Sequence, residues 1–378
     1  MSVFQNSLLA AAAAAAASAP SGPAGSMWAC GQNTQGQFGN SANSNAYVCS
    51  PVQVGGDETD WEVVISTDQS TMAVKNGLLF CWGDQVQIPD GTNTSRNSPV
   101  QIGSLTDWSS EFKKLDGGEE QAIAVKTDGT LWGWGGNGTG AIGDGSTTKR
   151  TSPVQIGSLT DWDIVACGER SSGGIKTDNT IWTWGSNGKG ELGLGDTTNR
   201  SSPVQIGTLT DWADIAMNAS GGAAVKTDGT LWQWGNEETV GDSVNVNRSS
   251  PVQIGTETYW SRVYGPDAAF LMTTTNNTLF ANGNGIHGVM GNGSTSNKNS
   301  PVQIGSLTDW DKLFVYGRRN SVYALKTDST LWSWGRNAAG QLGLGDKTDR
   351  CSPVQVGTET DWMMMNAGSY AAVGIREV

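Results

Sequence analysis

The sequence predicts an all-β fold: a seven-bladed β-propeller over residues 26–378, preceded by an Ala-rich helical arm and Ser/Gly/Pro linker over 1–25. Three observations predict it. SPVQ(I/V)G occurs seven times, with Pro at 51, 99, 153, 203, 251, 301 and 353, at intervals of 48, 54, 50, 48, 50 and 52 residues. A Gly- and Trp-rich period of about 50 residues belongs to propellers and not to helical solenoids. All 17 Trp sit at fixed phase, ten in LWxWG-like segments and seven in TDW-like ones, as core anchors of a repeated β unit do. Finally, the two ends complement each other. The last copy stops after GSYAAVGIREV, where a Trp-bearing half should follow, and Ser26-Met27-Trp28-Ala29-Cys30-Gly31 through GQNTQGQFGN supplies that half. One blade is therefore built from both termini, which closes the ring and leaves no open edge.

The arm comes first in the chain. MSVFQNSLLAAAAAAAASAPSGPAG carries eight consecutive Ala, Ala10–Ala17. Ala is the best helix former, and Asn6 or Ser7 can cap such a helix. An isolated Ala helix of this length is marginal in water, so an ordered one needs a surface, with Phe4, Leu8 and Leu9 as its apolar contacts. Ala17-Ser18-Ala19 also looks like a signal-peptidase site, but no Lys or Arg precedes the apolar run. That run is too short and too weakly apolar to span a membrane.

Within each repeat the local reading is β throughout. Ala124-Val125-Lys126 and Ala224-Val225-Lys226 read as strands leading into Asp-Gly at 128–129 and 228–229, and Leu131-Trp132 and Leu231-Trp232 begin the next strands. Asp-Gly between β-prone runs predicts a two-residue hairpin with φ > 0 at both positions. Asn76-Gly77, Asp178-Asn179, Asn276-Asn277 and Asp328-Ser329 fill the same slot. The NGxGxxGxGD segment after WG is a loop, and Pro is expected to open the PVQIG strand, where its missing N–H costs least.

Composition excludes several function classes. The net charge is −13 with one histidine, which disfavours binding to a phosphate backbone. Cys30, Cys49, Cys81, Cys167 and Cys351 are too few and too irregular for a disulfide framework or a zinc site. Cys49 and Cys351 both precede SP; a bridge between them needs a Cα separation of about 4–7 Å, which the sequence leaves open.

Two segments carry a resemblance. WGSNGKGELGLGDTTNRSSPVQIG (184–207) and WGRNAAGQLGLGDKTDRCSPVQVG (334–357) resemble the W-G-x-N-x-x-G-Q-L-G-x-G-D…P signature of RCC1-type (regulator of chromosome condensation) propellers. The resemblance covers 26–378 and is nearest the bacterial and bacteriophage variety. It implies a seven-bladed ring. For the eukaryotic founder it also implies nucleotide exchange on a small nuclear GTPase and chromatin binding, partly through a basic tail, while other members simply bind proteins. The family's G-x-x-H element is absent here: the matching loops read GGEEQAIAV (117–125), GERSSGGI (168–175), NASGGAAV (218–225) and GRRNSVYAL (317–325), and the arm has no basic residue.

Each candidate site has a structural reading beside it. Gly193-Leu194-Gly195-Asp196 and Gly343-Leu344-Gly345-Asp346 lack the helix N-terminus and Lys of a phosphate site and the converging carboxylates of a calcium site, so they read as turns. Lys126, Lys176, Lys226 and Lys326 read as neutralised, solvent-facing hairpins beside Asp128, Asp178, Asp228 and Asp328. Arg96, Arg150, Arg200, Arg248 and Arg350 are expected to pair with loop carboxylates. His287 stands alone, and a Ser nucleophile needs a base in reach. No catalytic, metal or cofactor residue is assigned.

Function in a propeller is expected where the repeat breaks. The breaks are 84–96, 236–248 and 279–283 with its preceding Tyr264-Gly265-Pro266-Asp267. Glu237, Glu238, Asp267 and His287 are the candidate contact residues on the ring. The expectation is a non-enzymatic interaction propeller without cofactor. Its expected setting is a bacteriophage virion, as a head decoration or tail part held to other subunits by residues 1–25, with self-association left open. A secreted binder or inhibitor is the alternative, and GTPase nucleotide exchange ranks below it.

Overall fold

The computed structural model describes residues 25–41, 44–56, 58–315 and 320–378, with the side chains of 44–46 excepted. The predicted arm with Phe4, Leu8 and Leu9, and part of the 317–325 loop, lie outside these residues. Seven four-stranded antiparallel sheets form the ring. Blades 1 to 6 span 63–101, 115–155, 162–205, 212–254, 260–303 and 310–355. In blade 7, Trp362–Ala367 and Ala371–Glu377 are joined to Gly25–Asn33 and Ser44–Val54. Gly25 lies opposite Glu377 and Gly31 opposite Ala371, so closure by both termini is as expected. The only described helical element is a 3-10 turn, Ile286–Gly288, and no helix among the described residues is long and apolar enough to cross a membrane.

Blade 3 shows the regular unit. Trp162–Cys167 lies innermost, followed outward by Ser171–Lys176, Ile181–Gly185 and Arg200–Gln205. The second Trp of each LWxWG is fully buried, and in blades 3, 4 and 6 its N–H stitches the blade to the one before, whereas Trp134 of blade 2 makes no such bond. Trp184 Nε1 donates to the Ala141 carbonyl at 2.9 Å, Trp234 to Glu191 at 2.8 Å and Trp334 to Val289 at 2.8 Å. Burying an indole with its N–H satisfied secures both the apolar gain and the polar partner. The glycine loops are structural turns: Arg96, Arg150, Arg200, Arg248 and Arg350 pair with Asp90, Asp144, Asp196, Asp242 and Asp346 at 2.5–2.6 Å.

Three local expectations need correction. The hairpins are mostly three-residue loops: Lys126 N–H donates to the Thr130 carbonyl at 3.0 Å and Gly129 N–H to the Lys126 carbonyl at 2.9 Å. Only Gly129 (φ 77) is left-handed there, as are Asn179 (φ 60), Asn277 (φ 56) and Ser329 (φ 60) in their blades. This is a type I turn completed by a left-handed residue. Asp is present because Asp128 Oδ1 accepts from Thr130 N–H at 2.9 Å and from its hydroxyl at 2.6 Å, bonds that hold its carboxyl below the ordinary range. Asn76 (φ 53) and Gly77 (φ 71) alone form the two-residue turn.

Pro does not open its strand. Pro203 lies within Arg200–Gln205, where the register jumps from Gly185–Arg200 to Thr183–Val204. It occupies a bulge on the outermost strand, which asks for no N–H.

The hairpin lysines are not solvent-facing, and their partner is not the following Asp. The Lys126 side chain is 4% exposed, its Nζ 3.1 Å from Asp107 of the TDW segment, 4.1 Å from the Trp132 ring centre and 5.0 Å from that of Trp108. Lys176, Lys226 and Lys326 repeat this cage with Asp161, Asp211 and Asp309. Arg376 does so in blade 7, between Trp28 and Trp362 and bonded to Asp361. TDW, KTD and LWxWG are thus one cation–π unit.

Candidate functional site

The antiparallel order gives the ring two ends. The lysine-cage hairpins and the GSLTDW connections lie at one, called here the hairpin end, and the glycine loops at the other, the loop end. Glu237, Glu238, Asp267 and His287 all fall at the loop end of blades 4 and 5, and three of them have a partner on a neighbouring blade. His287 Nδ1 is 2.7 Å from Asp349 Oδ2 on blade 6, and Asp349 Oδ1 accepts from Asn337 N–H at 2.7 Å. Asn320 Nδ2 donates to Asp267 at 3.1 Å, and Asn284 Nδ2 reaches Glu238 at 3.4 Å. Glu237 is exposed.

Two of the breaks, 279–283 and 84–96, make hydrogen bonds across blade junctions, whereas 236–248 stays largely exposed, with Val244 and Val246 at its surface. In LFANG, Asn282 takes the place of the stitching Trp and still donates to the preceding blade, to the Thr239 carbonyl at 2.8 Å. Gln233 across the junction exchanges two hydrogen bonds with it, at 2.9 and 3.1 Å. In 84–96, Gln87 donates to the carbonyls of Gly118 and Gln121. The five cysteines are free thiols, Cys30, Cys81 and Cys167 buried, and Cys49 and Cys351 do not pair.

The departure that adds chemistry is elsewhere, and the sequence reading passed over it. From Trp108 to Lys126 is 18 positions, against 14 from Trp162 to Lys176. The 54-residue Pro interval carries the same signal. The four extra residues fall in Ser109–Lys114, ahead of the innermost strand of blade 2, and they turn into the ring axis at the hairpin end. Lys113 adopts φ 63, and its Nζ crosses the axis to Asp214 Oδ1 at 2.6 Å and the carbonyls of Ile215 and Val263 at 3.2 and 3.1 Å. Three acceptors satisfy all three ammonium protons, which offsets the cost of burying a charge and holding a left-handed Lys. Burial pulls the Lys113 ammonium below its ordinary value, with Asp214 opposing. Phe112 meets Phe314 of blade 6 edge to face at 6.1 Å.

Above this plug the axis narrows to a cavity of about 90 Å³ lined by the innermost strands. Asp116 faces it, accepting from Cys167 N–H at 2.7 Å and Gly117 N–H at 2.8 Å. Burial raises its carboxyl to about 6, against the lowering effect of those two bonds. Below it, the plug divides the mouth. On the side of blades 3 to 5 lies a polar cavity of about 460 Å³ with Lys113, Lys114 and Arg262 among its walls. On the side of blades 6, 7 and 1 lies an apolar-floored one of about 350 Å³. Among the described residues no three His, Cys, Asp or Glu side chains converge as metal ligands. The mouth therefore offers shape, charge and apolar surface, and it holds no nucleophile–base pair.

Comparison with known proteins agrees with this architecture. The family model described as "Regulator of chromosome condensation (RCC1) repeat" matches residues 128–175, 178–225 and 328–375. The ultraviolet-B receptor UVR8 of Arabidopsis thaliana is 28% identical over 150 residues, 39% of this chain and 34% of that protein. The chain thus matches about a third of that relative's length. Prp20p of Saccharomyces cerevisiae superposes with a TM-score of 0.79 at 15% identity, covering 94% of this chain and 92% of its own. Human WBSCR16 gives 0.77 at 17%, covering 93% and 98%. At such identities these structures show the fold alone.

Proposed function

We propose that this chain, a seven-bladed propeller of RCC1 repeats, is a protein-docking module with no catalytic chemistry of its own, and that it docks its partner at the axial mouth of the hairpin end. One observation carries the reading. The insertion at 109–114 fills the axis and shapes two cavities at that mouth, with Lys113 anchored across the axis by Asp214 and two backbone carbonyls. The same fold serves binding in another protein: yeast RCC1 (Prp20) has been seen bound to Kap60 and has binding properties toward Gsp1p and histones.

A photo-crosslinking residue placed at Ser261 or Lys312, both at the mouth, should join the chain to a discrete partner in producing cells. One placed at Glu238 at the loop end should not. Crosslinks from Glu238 alone would sink the assignment of the face.

The finer reading is a virion component held to other subunits by residues 1–25. It is supported by the phage-like repeats and by an arm with no charged side chain preceding Gly25. Peptide mass spectrometry of purified virions tests it, and absence of this chain from them ends it.

A further inference from the structure

The cavity between the plug and blades 6, 7 and 1 has a specific character. Phe112 of the plug, Phe314 of blade 6 and Met363 and Met364 of blade 7 line it. Phe314 and Met364 are buried, whereas Phe112 and Met363 keep exposed surface. Methionine is unbranched and polarisable, so it shapes itself to varied apolar guests. About 350 Å³ lies at the lower end of what ligand pockets enclose, enough for one large side chain and short of a whole folded element.

The rim is acidic. Glu62, Asp311, Asp361 and Glu377 line the cavity against Lys312 and Lys326. Lys326 is matched by Asp309 at 3.3 Å, Asp361 by Arg376 at 2.9 Å and Asp311 by Lys312 at 3.9 Å, which leaves Glu62 and Glu377 to make the rim negative. The cavity across the plug differs, with Lys113, Lys114 and Arg262 balanced by Glu111, Asp163 and Asp214. A guest at the first cavity meets an apolar floor inside a negative rim, on a chain whose net charge is −13.

We propose that this groove seats a cationic amphipathic segment of a partner protein, with one large apolar side chain entering between Phe112 and Met363 and flanking Lys or Arg side chains meeting the rim. The inference rests on the docking reading above and supplies the chemistry of the partner. The apolar anchor gives most of the affinity, because it is desolvated on both sides. The rim gives the encounter rate and the choice of sign.

The test uses the full chain and a fluorescein-labelled peptide of alternating Leu and Lys, with a Leu/Glu peptide of equal length as control. Anisotropy should show saturable binding of the Leu/Lys peptide, at least about tenfold tighter than the control and weakened by added salt. Met363→Asp should weaken it about tenfold, and Glu62→Lys with Glu377→Lys together by a similar factor. Glu238→Lys, at the loop end, reverses a charge away from the groove and should leave it unchanged. Thermal melts matching the parent chain show that each variant is folded.

Equal binding of both peptides, or indifference to the groove substitutions, overturns the proposal. Binding that appears only after residues 1–24 are deleted overturns it too, and makes the arm the occupant. If Ser261 and Lys312 crosslink a partner while the Leu/Lys peptide fails, the docking reading stands and the cationic partner falls.

Discussion

Blade 5 replaces the cage lysine, its aspartate and one cage tryptophan by Thr274, Tyr259 and Phe280. Blade 2 keeps its cage whole and gains four residues ahead of its innermost strand. In blade 5 every change has an answer nearby. Tyr259 packs on Trp260 at 5.0 Å and Trp260 on Phe280 at 5.1 Å, so aromatic contact takes over from the cation. Asn282 pairs with Gln233 where a Trp would stand. In blade 2 nothing elsewhere in the repeat makes room for the insertion, and its side chains go to the one place the repeat leaves open, the axis. Replacements within a packed unit read as repair, and residues added at a symmetry axis read as equipment.

The largest expected effect breaks the blade 2 side of this contrast. Asp214→Ala leaves the Lys113 ammonium without its counter-charge, and urea unfolding should show a loss of about 3–5 kcal/mol. Lys113→Met combined with Asp214→Asn should recover most of it, since no charge stays buried and the Asn oxygen can still accept the Val263 N–H, which lies 2.9 Å from Asp214 in the parent. A loss equal to that of Asp214→Ala in the double variant would mean that the ion pair itself holds the plug.

Next comes a pH effect above the plug. The Asp116 carboxyl is raised to about 6 in the folded chain, above its ordinary value near 3.8. The folded state therefore holds this proton more tightly than the unfolded one. The stability from this group is fully present below about pH 4 and is lost as pH rises through about 6, amounting to roughly 3 kcal/mol. Asp116→Asn should remove that downward slope, because Asn366 already accepts the Ser66 N–H at the matching place in blade 7. Parallel pH–stability curves for parent and variant would show that Asp116 does not titrate there.

The blade 5 repair is tested by a double-mutant cycle. Asn282→Ala strands the Gln233 amide and should cost about 1–2 kcal/mol. Gln233→Thr with Asn282→Trp rebuilds the Thr183–Trp234 junction of blades 3 and 4 and should be close to parental. Additive single losses would deny the coupling. The smallest effect is in a regular cage: Lys176→Met removes the cation between Trp162 and Trp182 and should cost about 1 kcal/mol by thermal melting. No loss would make the cage ornamental.

The ring, its seven blades and its closure were legible because Pro, Trp and Gly recur at fixed phase and the two ends complete each other. The Arg–Asp loop pairs were legible for the same reason. The lysine cage was not, because reading along the chain sets Lys126 beside Asp128, whereas the strand register sets it beside Asp107. The hairpin type was missed because Asp128 serves its own hydrogen bonds to Thr130 and not a left-handed backbone. The axial plug was not legible either: the altered motifs at 236–248 and 279–283 stand out along the chain, whereas the signal at 109–114 is a change of spacing between motifs that are themselves intact.

Blade 7 has a consequence for how the molecule is made. Gly25–Asn33 is among the earliest strands to be synthesised, and its partner Ala371–Glu377 is among the last. At translation rates of about 5–20 residues per second, the early strand waits some tens of seconds with one edge unpaired. An exposed edge of that kind is a template for wrong partners. The same arrangement makes ring closure wait for Ala371–Glu377, since a ribosome that stops before residue 371 releases a ring that cannot shut.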